Sequence, residues 1–157
     1  MDSQQAIQRL FIFDLWCTRE LTDFIKVSGE FRERKLCTAL LSHIINSQRI
    51  WFDRVLSMDI ADVNLWDEID IDEMKQHAQE ANQLWIDLIG DHEMDIDTRI
   101  VYQNFAGVNY MNTFTEICNH LILHGQHHRA QISLLLSRSE ITPPSIDYIH
   151  YLRQKTQ

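Results

Sequence analysis

The sequence predicts an all-α fold: a four-helix bundle with a short hairpin or extended insertion before the last long helix and a short helix at the C-terminus. Three observations predict it. Among 157 residues there are only four glycines and two prolines, the prolines adjacent as Pro143-Pro144, too few breakers for a many-turned β architecture. Four stretches carry apolar residues at helical spacing. No internal repeat, low-complexity tract or linker interrupts the chain, so residues 1–157 read as one domain, long enough to bury a core without disulfides or a structural metal.

The first helix follows from Ile7, Leu10, Phe11, Cys17, Leu21, Phe24 and Ile25, with Ser28-Gly29 as its stop. The second runs from about Arg32 to Leu56 on the stripe Leu36, Leu40, His43, Ser47 and Ile50, continuing into Trp51 and Val55, so one of its inward positions is a histidine. The third, from about Asp72 to Ile89, places Met74, Ala78, Ala81, Trp85 and Leu88 on one face, and Gly90 ends it. Residues Arg99 to Gln103 are rich in β-formers, Asn104 to Gly107 have turn composition and Val108 to Met111 resume extended character, which predicts a hairpin. Asn112 or Thr113 then caps the fourth helix, with Glu116 three residues after Thr113 completing a capping box, and the apolar pattern runs to Leu136. Thr142-Pro143-Pro144-Ser145 breaks the chain before a short terminal helix in SIDYIHYL. The long connections on either side of the third helix leave room for a crossover.

The formal charge is −9, and between Asp59 and Asp97 thirteen acids face Lys75 alone, an acidic flank that reads as solvated. Phosphate binding needs clustered Lys and Arg, so no nucleic-acid partner is expected. No apolar run approaches the ~18 residues of a membrane span, and the N-terminus lacks a signal-peptide pattern. Cys17, Cys37 and Cys118 are too scattered for a metal knuckle and odd in number. They read as small buried apolar residues of a protein in a reducing compartment, and a cytoplasmic location is expected.

Eight histidines are present, and four fall within nine residues of the fourth helix, His120, His124, His127 and His128. At i and i+4, His124 and His128 differ by about 40° in azimuth and direct their imidazoles to one point on the core-facing stripe. His120 extends the row by a turn as a weaker ligand or a residue behind the ligands, whereas His127 lies about 100° from His128 on another face. His43, inward on the second helix, completes a three-histidine face with open coordination positions, the geometry of a catalytic rather than a sealed site. Taken alone, His43 reads as an ordinary hydrogen-bonded core histidine; it is the combination on facing helices that favours a metal. His77 and His92 fall in the acidic flank and His150 in the terminal helix, where solvated rings are expected. There is no HExxH and no Glu-x-x-His pair, which removes zincin-type and carboxylate-bridged di-iron sites and leaves a mononuclear one. GxGxxG, P-loop and GxSxG patterns are also absent.

HGQHHRAQI, the lone upstream histidine in LLSHIINSQRIW, the segment VYQNFAGV and the terminal PPSIDYIHYL resemble the DinB family of DinB/YfiT-like metalloenzymes over most of the chain. The resemblance implies a four-helix bundle whose second helix supplies one histidine, and whose last long helix supplies two, to a divalent metal, often nickel or zinc; by position these are His43, His124 and His128. The chain departs from the family at Ala130 and at Ser139-Glu140, where glycines are common, which bears on helix packing near the site and on the terminal loop.

The function expected is therefore that of a mononuclear metal-dependent enzyme that transfers a low-molecular-weight thiol to an electrophile, or hydrolyses a small-molecule substrate, through a metal-activated nucleophile. Zinc or nickel is the expected ion; three imidazoles also accept iron or copper, and manganese is a further candidate. Arg129 is a candidate for orienting substrate, or else pairs with an acid such as Glu116 or Asp14. Asp14, a carboxylate on the first helix's apolar stripe, is a candidate to hold the second nitrogen of a ligand histidine. The competing reading is a non-catalytic homodimeric stress-response bundle with a structural or adventitious metal, its seam built from Trp16, Phe52 and Trp66.

Overall fold

The computed structural model describes residues 2–59, 63–91 and 93–154, and it is all-α apart from one hairpin. The elements in chain order are α1 (Ser3–Val27), α2 (Arg34–Val55), α3 (Met74–Gly90), β1 (Arg99–Gln103), β2 (Asn109–Thr113), α4 (Phe114–Arg138) and α5 (Tyr148–Gln154). Thr113 with Glu116 forms the capping box that the sequence predicts for α4, and α1 begins with another, Asp2 with Gln5, that it did not single out. The α3 stop at Gly90 is reinforced from α1, where the Gln4 side chain donates to the Ile89 and Asp91 carbonyls and Gln8 to that of Ile86.

The hairpin lies where the sequence puts it. Arg99 pairs with Thr113 and Gln103 with Asn109 in antiparallel register. Asn104 closes the turn by accepting from the amides of Ala106 and Val108, and Gly107 takes φ 75°, a conformation that costs an L side chain but not glycine. Because β2 runs directly into the α4 cap, the hairpin fixes where α4 begins.

Helices adjacent in sequence are not the closest in space. α1 lies mainly against α3 and α2 against α4; α2 also meets α3, and α1 meets α4. The backbones of α3 and α4 hardly approach, and the gap is bridged by large rings such as Trp85 stacked on Phe114 at 6.1 Å. The long connections flanking α3 make this crossed arrangement possible. Two stripe positions differ from expectation. Leu36 is 46% exposed while Cys37 is fully buried, and Ile89 rather than Leu88 completes the α3 core face. Each is a shift of one residue near a helix end, where neighbouring elements decide which flank is covered.

The apolar core falls into two clusters, and every long helix changes cluster close to a buried polar residue. On α1, Ile7 and Phe11 belong to one and the buried apolar residues from Phe13 to Ile25 to the other, with Asp14 just past the boundary. Gln48 on α2, Asn82 on α3 and Arg129 on α4 occupy the corresponding positions. The molecule thus has a polar waist. Its centre is the Arg129 Nη1 to Asp14 Oδ1 ion pair at 2.7 Å, with side chains 0% and 1% exposed, and Gln48 donates to the other Asp14 oxygen at 2.8 Å.

All three cysteines are free and buried, as expected, and burial pushes the Cys17 and Cys118 thiols up to about 12 and Cys37 to about 11. Among the described residues no helix is long and apolar enough to cross a membrane. The acids Glu68 and Asp72 of the acidic flank stand in solvent, opposite Lys35 and Lys26.

Candidate metal centre

At the level of the polar waist, α2 and α4 bring three imidazoles together. The Nε2 atoms of His43 and His128 each lie 3.1 Å from Nε2 of His124, and one ligand atom from each of the three residues falls within 4.8 Å of the others. His43 is buried and the other two are half-buried. With metal–nitrogen bonds of about 2.0–2.1 Å, tetrahedral ligand nitrogens stand about 3.3–3.4 Å apart, so little adjustment is needed to admit an ion.

The opposite ring nitrogens explain why the three Nε2 atoms face inward. His43 Nδ1 lies 3.1 Å from the Leu65 carbonyl, which can only accept, so Nδ1 carries the proton and Nε2 presents a lone pair. His128 Nδ1 donates to Gln131 Oε1 at 2.7 Å, while the Gln131 amide donates to His127 Nε2 at 3.3 Å. His128 therefore also presents Nε2 as a lone pair. Two such lone pairs directed at the His124 nitrogen cannot both be satisfied by the single proton that His124 carries when neutral. A cation resolves the contact.

The electrostatics agree. Burial lowers the His124 pKa to about 3, helped by repulsion from His128 and His43, and burial also lowers that of His43. Both rings are neutral at pH 7, the state in which imidazole ligates metal.

Leu65 and Trp66, in the connection between α2 and α3, lie against His43. Trp66 stacks on the imidazole with centroids 4.0 Å apart and planes 15° from parallel, yet it remains 58% exposed. The segment is tied to α2 where Asn46 donates to the Asp67 carbonyl and the Ile69 amide donates to Ser42 Oγ.

Other sequence-derived candidates lie elsewhere. His120 is outside the cluster; it meets Trp51 edge-on at 5.4 Å and His124 at 5.7 Å. Asp14 touches no ligand ring, because both its oxygens are engaged by Arg129 and Gln48. Arg129 is wholly buried, and its guanidinium pairs with Asp14 of α1. The pairing with Asp14 that the sequence also allowed is the one adopted. His77 is half-buried beside Arg49 instead of solvated, and His92 lies outside the described residues. Of the aromatics suggested for a dimer seam, Trp16 packs on Phe13 and Tyr151, Phe52 on Trp85, and Trp66 on His43, so each is engaged within the chain.

Sequence reasoning missed the Leu65 carbonyl, Trp66 and the role of Gln131. Gln131 carried a signal, since i+3 from His128 puts it on the adjoining helical position. A backbone carbonyl 22 residues from the ring it holds leaves none.

Gly125 is required by this geometry. A Cβ there would stand 2.7 Å from Asp14 Oδ1 and 2.9 Å from Arg129 Nη1, so a side chain would push α4 away from the ion pair one residue beyond His124.

A comparison with protein families matches residues 32–157 to the model described as DinB family. The matched stretch holds all three clustered histidines and begins after α1. No curated protein matches the chain.

Proposed function

Because the chain belongs to the DinB family, we propose that it is a metal-dependent enzyme that holds one divalent ion on His43, His124 and His128. The convergence of three Nε2 atoms, two with their Nδ1 protons committed to fixed acceptors, carries this reading. The described residues contribute three donors to the group and not four, which favours an open site over a sealed structural one. Zinc or nickel suits three neutral imidazoles, and iron or copper is chemically acceptable.

A divalent ion bound there supplies Lewis acidity, bringing the pKa of a ligated water or thiol toward neutrality. The protein's part is to fix the three rings: Leu65 holds His43, Gln131 holds His128, and the buried ion pair holds the α4 backbone between His124 and Arg129. Trp66 limits solvent access on the His43 side. The reaction proposed is addition of a low-molecular-weight thiol, or of water, to a small electrophilic substrate.

His124→Ala and His128→Ala, prepared without a polyhistidine tag, test the assignment. Each is expected to lower bound metal from one per chain to near zero while the helical circular dichroism persists. Full metal retention in both variants would overturn it.

A further inference from the structure

Beyond the hairpin side of the histidine centre, the C-terminal end of α2 and strand β1 enclose a second cleft of about 390 Å³. That is within the range of small-molecule sites. Its polar lining is Arg54, Ser57, Tyr102, Gln103 and Asn109, and Met58 and Val101 supply apolar wall. Arg54 is the one charged residue of the lining, a cation in a chain of formal charge −9.

The guanidinium is held in place. Its Cζ lies 4.9 Å from the Trp51 ring centroid and 4.8 Å from that of Phe105, so two aromatic rings fix its position at little entropic cost. What it lacks is an acid. Among the described residues no carboxylate forms an ion pair with Arg54, although the sequence holds 23 acids, and its Nε is buried without a hydrogen-bond partner. Burial lowers the Arg54 pKa, which is the cost of a desolvated cation without a counter-ion. A partly buried, immobilised guanidinium with no ion-pair partner among the described residues, facing a cleft of hydroxyl and amide groups, is arranged to receive an oxyanion in the bidentate geometry that Arg favours.

We infer that this cleft binds a small organic oxyanion, a carboxylate or phosphate on a short apolar stem, with its charged head on Arg54 and hydrogen bonds from Ser57, Gln103 and Asn109. The site stands on residues separate from the three histidines and does not depend on the metal reading.

Calorimetric titration of the full chain at low ionic strength with butyrate, phenyl phosphate and butylammonium tests it, on protein as purified and after chelation. At least one of the two oxyanions is expected to bind once per chain with a dissociation constant of about 1 mM or tighter. Butylammonium is expected not to bind, and chelation to leave the affinity unchanged. The tighter of butyrate and phenyl phosphate identifies the head group. Arg54→Met should weaken binding by about tenfold, and Arg54→Lys, which keeps the charge but loses the fork, by less. If Arg54→Met does not fold, Arg54→Lys and Gln103→Ala carry the comparison, each expected to weaken binding by a few-fold. No saturable binding of either oxyanion at about 20 mM would overturn the inference. So would unchanged affinity in the folded Arg54 and Gln103 variants, or binding abolished by chelation, which would place the oxyanion on the metal.

Discussion

His124 is the ring on which the other two converge, and its protonation behaviour follows from where it sits. Its pKa is depressed to about 3 in the folded chain, chiefly by burial, against about 6.5 when unfolded. Below pH ~6.5 the unfolded metal-free chain therefore binds a proton that the folded one refuses, so stability falls as pH drops from there toward 4. The melting temperature of chelated wild type is expected to fall more steeply over that range than that of His124→Gln; parallel curves would show that His124 carries no such burden. The ion pair at the waist makes an opposite kind of residue-scale prediction, one of loss without titration. Asp14→Ala strands a fully buried guanidinium and should cost about 3–5 kcal/mol in denaturant unfolding. The three histidines were legible because helical spacing alone put them inward. Asp14 was legible only as an anomaly on an apolar stripe, since nothing in one helix's pattern names the partner it meets on another.

At the scale of elements, α4 carries both the ligands and the tightest constraint. Gly125→Ala adds helix propensity worth roughly 1 kcal/mol, but the new methyl lies under 3 Å from two locked charged groups, and overpacking of this kind costs about 1–3 kcal/mol. A net loss of up to about 2 kcal/mol is expected on chemical denaturation, with weaker metal binding as α4 shifts. The end of α4 predicts the reverse sign. Glu140 adopts φ 60°, a left-handed conformation that costs a residue with a Cβ about 1–2 kcal/mol. It belongs to the Ser139-Glu140 pair, near which the family resemblance leads to a glycine being expected. Glu140→Gly should therefore stabilise by about 0.5–1 kcal/mol in the same assay, after the added freedom of the unfolded chain is counted. The other departure, Ala130, has no packing consequence because it lies on the exposed side of α4. Caps, hairpin and helix spans could be read from local patterns. The exposed Leu36 could not, because which flank of a helix end is covered depends on a neighbour that the pattern does not name.

For the molecule as a whole, two apolar clusters meet at a buried polar waist, and a core of that extent is expected to form without metal. Chelated protein is expected to keep its helical circular dichroism and a cooperative melt, losing only the linkage contribution of the bound ion. The family and the all-α architecture were visible from the histidine motif and the scarcity of breakers. The crossed packing of α1 on α3 and α2 on α4 was not, since it depends on how long connections route through space. That packing matters to function, because it sets His43 opposite His124 and His128. The measurement that tests this most directly is the metal content of the untagged protein together with the absorption spectrum of its cobalt-substituted form. One ion per chain, with a four- or five-coordinate spectrum that changes on adding a small thiol, is the predicted result. No stoichiometric metal and no cobalt uptake would mean that the three converging nitrogens are a hydrogen-bonded core cluster and not a metal centre.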